Sequence, residues 1–128
     1  NDRDTAIVER IKATIVQLVH HTDADGPVRL SEHLSARLNK EYSGLSAVFS
    51  DVEGTTVEQY FLLQRVERVK ELIGYGELTM AEIAHRTGFS SAAHLSAQFK
   101  KFTGMTPTAF KRSGAKRAPL DQVGRSPA

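Results

Sequence analysis

Apolar residues recur along this chain at helical intervals, and glycine, proline and capping residues interrupt them. Ile7, Ile11, Ile15 and Leu18/Val19 form one stripe, which predicts an amphipathic helix over about 5–21. Asp23, Asp25, Gly26 and Pro27 then break the pattern. Leu30, Leu34 and Leu38 predict a second helix, with Ser31 as its N-cap. Leu45, Val48, Phe49 and Val52 mark a third over about 42–53, ended by Gly54. Thr56 with Gln59 reads as a capping box opening a long helix, about 57–74. Its inner face is Phe61, Leu62, Val66, Val69, Leu72 and Ile73, and Gly74 and Gly76 stop it. Thr79 with Glu82 opens a helix to about 86, Ser91 opens one to about 102, and Thr106 with Pro107 opens a last one to about 112. No segment alternates with period 2, so the expected fold class is all-α.

The chain also repeats itself at an offset of 50 residues. LSAVFSDVEGTT at 45–56 matches LSAQFKKFTGMT at 95–106 in six of twelve positions, Gly54/Gly104 and Thr56/Thr106 among them. A short amphipathic helix and a turn precede each copy. Short helix, turn and second helix, done twice, predicts two helix-turn-helix subdomains. Leu34/Leu38 or Ile83/Ala84 bury the first helix of each pair against the second. Small residues (Ala84, Gly88, Ala47, Ala97) permit a close crossing. The long helix is expected as a spacer of roughly 27 Å, which suits two helices meeting major-groove faces about 34 Å apart. The predicted organisation is 5–56, first subdomain; 57–74, linker helix; 75–112, second subdomain; and 113–128, a mobile tail rich in Gly, Ala, Pro and Ser.

The residues from Leu78 to Phe110 carry a specific resemblance. AEIAHRTGFSSAAHLSAQFKKFTGMTPTAFK is similar to the second helix-turn-helix unit of the C-terminal DNA-binding domain of AraC/XylS transcription regulators. YSGLSAVFSDVEGTTVEQYFLLQRVERVKELI resembles that family's first unit and linker helix, and the likeness spans about residues 12–112. It implies a seven-helix, bacterial, cytoplasmic domain that binds double-stranded promoter DNA. It further implies a separate N-terminal sensing or dimerising region, and linker-helix positions near RNA polymerase. The chain opens on Asn1 rather than Met, which predicts a piece of a longer protein. This piece is expected to be monomeric.

Base edges are contacted by the N-terminal part of a recognition helix. In the second such helix Leu95, Phe99 and Phe102 face inward, leaving Ser91, Ala92, His94 and Gln98 for bases. Gln suits adenine and Ala the thymine methyl. Lys100, Lys101, Lys111 and Arg112 are the expected phosphate contacts. In the first recognition helix the outward residues are Ser43, Gly44, Ser46, Ala47 and Ser50, of which Ser43, Gly44 and Ala47 are the base-contact candidates. None is basic, and Asp51 and Glu53 follow, a departure from a family that often carries Arg or Lys there.

Charge sharpens this picture. The 128 residues carry a formal net charge of +2, but 1–59 hold 6 Lys/Arg against 10 Asp/Glu and 60–128 hold 11 against 5. The basic half is the half expected to meet a polyanion. Arg65, Arg68 and Lys70 interleave with Glu67 and Glu71 and read as a solvated face, not a phosphate grip. Phe49, Phe89, Phe99, Phe102 and Phe110 read as core, not a stacking platform. His33 and His85 read as packing or backbone contacts. His20 and His21 with Asp23 and Asp25 lack metal-site spacing, so no metal and no cofactor is expected. With no Cys, no Gly-rich phosphate loop and no HExxH, an enzyme is not expected. No apolar run approaches the ~20 residues of a membrane span. The alternative is a protein-interaction module with little DNA affinity, motivated by the first recognition helix, which lacks basic residues, and by the small net charge.

Overall fold

The structure, a computed structural model, describes residues 1–21 and 29–114. Among them every regular element is a helix: α1 (Asp2–His21), α2 (Leu30–Leu38), α3 (Tyr42–Glu53), α4 (Val57–Tyr75), α5 (Met80–Arg86), α6 (Ala92–Thr103) and α7 (Pro107–Arg112). The all-α fold of seven helices follows the sequence pattern closely. The breaker cluster Asp23, Asp25, Gly26 and Pro27, and the tail from 115 onward, lie outside the described residues.

The chain divides into two compact units, Asn1–Arg65 and a second starting at Val66, so α4 contributes to each. In the first unit α1, α2 and α3 pack on one another. Val8, Ile11, Ile15 and Val19 of α1 meet Leu34 and Leu38 of α2, Leu45 and Phe49 of α3, and Val57. Phe49 is wholly buried and takes the Tyr60 ring edge-on at 5.6 Å. Truncating it to Ala would cost about 3–5 kcal/mol. The second unit buries Ile83 and Ala84 of α5, Phe89, and Leu95 and Phe99 of α6, and α6 packs on both α5 and α7. Phe110 of α7 meets Phe99 edge-on at 5.5 Å.

The duplicated ends explain why the repeat is visible. Gly54 and Gly104 close α3 and α6 in the left-handed region, φ 75° and 87°. Each donates its N–H to the carbonyl four residues back, Ser50 at 2.9 Å and Lys100 at 2.8 Å. A residue with a side chain is strained there, so both copies keep Gly.

Four local expectations need correction. Ser31 is not the N-cap of α2: Arg29 holds that position without a side-chain cap, and its guanidinium bonds Glu32 at 3.2 Å. Leu30 is drawn into the first turn because its side chain packs on the first-unit core. Val52 is 40% exposed instead of inward, since it lies in the last turn of α3 past the Leu45/Phe49 contact. Gly74 does not stop α4, which runs on to Tyr75 and ends at Gly76. Phe61, Leu62, Phe102 and Phe110 are half-buried, at the margins of their cores. Elsewhere the caps fall as expected. Thr79 and Glu82 form a reciprocal capping box. At Thr56 only half of the expected box forms: its hydroxyl accepts from Gln59 N–H at 3.0 Å. Thr106 caps α7 with Pro107 in its first turn.

Candidate nucleic-acid interface

The second unit builds its exposed helix from the turn after α5. Phe89 N–H closes the turn on Ala84 carbonyl at 2.9 Å, and the buried Thr87 hydroxyl donates to Ile83 carbonyl at 2.7 Å. Ser91 is extended and its hydroxyl accepts from His94 N–H at 3.0 Å, starting α6 with a side-chain cap. Leu95 and Phe99 then point inward one turn apart. Opposite them Ala93, His94, Ala97, Lys100 and Lys101 are exposed. Ala92 and Gln98 lie on the flanks, half-buried, while Ser91 is exposed at the cap. Lys100 and Lys101 occupy the last turn, where the helix dipole favours cations. Lys111 and Arg112 are exposed in the last turn of α7, which packs on α6.

The first unit presents the same outward positions with different chemistry. Ser43, Gly44, Ala47 and Asp51 of α3 are exposed, and through the repeat they correspond to Ala93, His94, Ala97 and Lys101. Ser46 and Ser50 are half-buried. One position therefore carries Asp in α3 and Lys in α6. A side chain at Gly44 would meet open space, so this Gly is not required by packing. Glu41 is the N-cap of α3 without a side-chain bond. Instead the Tyr42 hydroxyl donates to the Glu58 carboxylate, tying the start of α3 to the start of α4. Burial, with Glu58 adding to it, pushes the Tyr42 phenol well above its usual range, so it stays neutral. Glu53 is held by Lys12 of α1 at 2.9 Å, and that bond raises the Lys12 ammonium above its ordinary value. The acidic charge left on the outward face of α3 is thus that of Asp51.

Other charged groups are engaged locally. Lys70 pairs with Glu67 at 2.9 Å and Arg68 with Glu71 at 3.3 Å. Arg65, expected to be solvated, is half-buried over the Phe61 ring at 5.1 Å, and desolvation lowers its pKa to about 10. It remains a cation at neutral pH. His33 is half-buried, and desolvation together with Arg37 lowers its pKa. His20 donates from Nδ1 to the Val16 carbonyl at 2.9 Å. Asp23 and Asp25 lie outside the described residues, and among those described no group of three or more His, Cys, Asp or Glu could hold a metal. No helix among them is long and apolar enough to cross a membrane.

Sequence reasoning passed over Ala93 and misplaced Ala97, the residues most directly opposite the buried face of α6: Ala97 and its counterpart Ala47, expected at the close crossing, are both exposed, whereas Ala84 is buried. The helical period signals both: Ala97 lies about half a turn from Leu95 and Phe99. It also passed over Lys40 and Arg86, exposed cations in the α2–α3 turn and the last turn of α5.

A helix-turn-helix domain family matches residues 34–113. The Msm operon regulatory protein of Streptococcus mutans is 27% identical over 112 residues, covering 88% of this chain and 38% of that protein. The chain thus spans about two fifths of the length of that relative. Among solved structures, the C-terminal domain of AraT, a response regulator from Geobacillus stearothermophilus, matches with a TM-score of 0.72 at 25% identity. That match covers 89% of each chain. The DNA-binding domain of AdpA, a global transcriptional factor solved with a target DNA, shares the fold with a TM-score of 0.69 at 23% identity, over 83% of this chain and 90% of that one.

Proposed function

The chain belongs to the AraC-type helix-turn-helix family of DNA-binding regulator domains, and from that premise we propose that it reads duplex promoter DNA with α3 and α6 as recognition helices. The observation that carries this reading is the exposure of the same four positions on both helices, with cations at the end of α6 and on α7. Ser43, Gly44 and Ala47 of α3, and Ser91, Ala92, His94 and Gln98 at or on α6, are the proposed base contacts. Lys100, Lys101, Lys111 and Arg112 are the proposed phosphate contacts. Phosphate contacts set position and salt dependence, and base edges carry sequence.

The chain would act as the DNA-docking part of a longer regulator working where promoter DNA is found, the bacterial cytoplasm. RNA polymerase is the proposed further partner, and dimerisation would come from the rest of the regulator. Alone the chain is proposed to be monomeric, with lower affinity than a paired full-length protein. The family is one of transcription regulators, which are generally not enzymes. Docking on DNA requires no cofactor.

The test is selection of bound duplexes from a random pool, with a salt titration on the winner. A reader using about four to six phosphates loses affinity steeply with salt. Asp51 favours a second reading, a protein-interaction module with weak DNA affinity. A flat salt response and no enriched sequence would support that reading and refute the first.

A further inference from the structure

We propose that His94 reads the acceptor edge of a guanine, N7 and O6, because its partners inside the protein leave the imidazole a single outward donor. This rests on the reading of α6 as a recognition helix. The Ser90 backbone N–H donates to His94 Nδ1 at 3.2 Å, and the Ser90 hydroxyl oxygen lies 3.1 Å from the same atom. A backbone N–H can only donate. Nδ1 must therefore accept with its lone pair, and the neutral ring carries its proton on Nε2. The Phe89 ring meets the imidazole edge-on, centroids 5.4 Å apart at 79°, and fixes its plane. His94 is exposed, and its side-chain hydrogen bonds among the described residues both fall on Nδ1, none on Nε2.

The arrangement is a variant of the capping box. Ser91 accepts from His94 N–H at 3.0 Å, and the His94 side chain returns to the N–H of Ser90, one residue before the cap. The first turn of α6 and the orientation of its reader are thus set by the same bonds. His20 shows the opposite case, with Nδ1 donating to a carbonyl.

A lone Nε2–H selects among bases by what they accept. In the major groove guanine offers two adjacent acceptors, adenine sets a donor beside its N7, thymine sets a methyl beside its O4, and cytosine offers only a donor. Guanine is therefore the best match. The exposed methyl groups of Ala93 and Ala97 leave room for the helix to approach closely. The corresponding position in α3 is Gly44, which has no side-chain donor to offer, so this reading is confined to the second unit.

The test uses the 128-residue chain. Nitrogen NMR of labelled histidine, at a pH where the ring is neutral, should show His94 protonated at Nε2 and bare at Nδ1. Duplex selection is then run on wild type and on His94→Asn, whose amide oxygen stands near the place of Nδ1 and keeps the Ser90 bond but reaches less far. Wild type should select a guanine that His94→Asn no longer requires, with other positions and thermal melting retained. Replacing that guanine by adenine or 7-deazaguanine should weaken wild type by about tenfold in at least one case and leave His94→Asn unaffected. Should His94→Asn melt early, NMR and the modified duplexes on wild type decide alone. A proton on Nδ1, or a wild-type motif whose every position survives His94→Asn, overturns this inference and leaves the DNA-binding reading standing. Failure of wild type to enrich any duplex overturns both.

Discussion

Asp51 and Lys101 hold the same outward position on α3 and α6 with opposite charge, and reversing either tests whether both helices lie on DNA. Asp51→Lys should leave the fold intact, since exposed substitutions usually change stability by less than about 0.5 kcal/mol. Asp51 sits in the last turn of α3, so a cation there also suits the helix dipole. For a phosphate about 7 Å away in water, a unit charge is worth roughly 0.6 kcal/mol, and reversal about twice that. At low salt this is about a sevenfold tightening; at 0.15 M a Debye length of about 8 Å reduces it to about twofold. If the new Lys displaces one counterion, the slope of log K against log salt steepens by about 0.9. Fluorescence anisotropy of a labelled duplex across a salt series reads both quantities. Lys101→Asp should do the reverse: weaker binding and a shallower slope. If Asp51→Lys changes neither affinity nor slope while Lys101→Asp weakens binding, α3 does not lie along phosphates and the two-helix reading is wrong.

Gly44→Ala should stabilise the chain by about 0.5–1 kcal/mol, because the new methyl meets open space in a helix; a lowered melting temperature would contradict this. Ser91→Ala removes the cap that accepts from His94 N–H and should cost about 1 kcal/mol in denaturant unfolding, whereas an unchanged midpoint would mean the cap contributes nothing. Gln98→Ala should alter preference at one base position by about 1–3 kcal/mol, and selection profiles identical to wild type would remove Gln98 from the base contacts. Glu82 is held below the ordinary carboxylate range by the Thr79 backbone N–H and then by its hydroxyl. Its folded pKa being the lower, its contribution is present above the unfolded value and lost as pH falls through the folded one. Melting of wild type should therefore drop more on acidification than melting of Glu82→Gln, and parallel pH curves would refute this.

The elements were legible because their signals are local. Thr79/Glu82, Ser91 and Thr106/Pro107 start helices by bonds within three residues, and Gly54 and Gly104 end them by backbone conformation alone. Ser31 misled because capping competes with packing: Leu30 reaches the core and takes the chain into the helix before the serine. On α6, choosing outward residues by side-chain chemistry favoured Ala92 and Gln98, whereas the angle from Leu95 and Phe99 exposes Ala93 and Ala97. The pairings that bring Glu53 to Lys12 and Arg65 over Phe61 depend on where whole helices come to rest. No pattern of hydrophobic positions encodes such pairings. The role of His94 was half legible: its exposure follows from period, but its tautomer depends on a neighbouring peptide N–H.

Two helices that offer matching positions can exchange vocabularies. Ala47 and Ala97 already agree, so Ser43→Ala, Gly44→His and Asp51→Lys would copy the second unit's outward letters into the first. Such a protein would ask for two words closer in spelling, and its favoured target would lean towards a tandem of related motifs, with Gln98 and its counterpart Val48 still setting them apart. An ancestral duplication would then have kept one grammar while its halves drifted to different dialects.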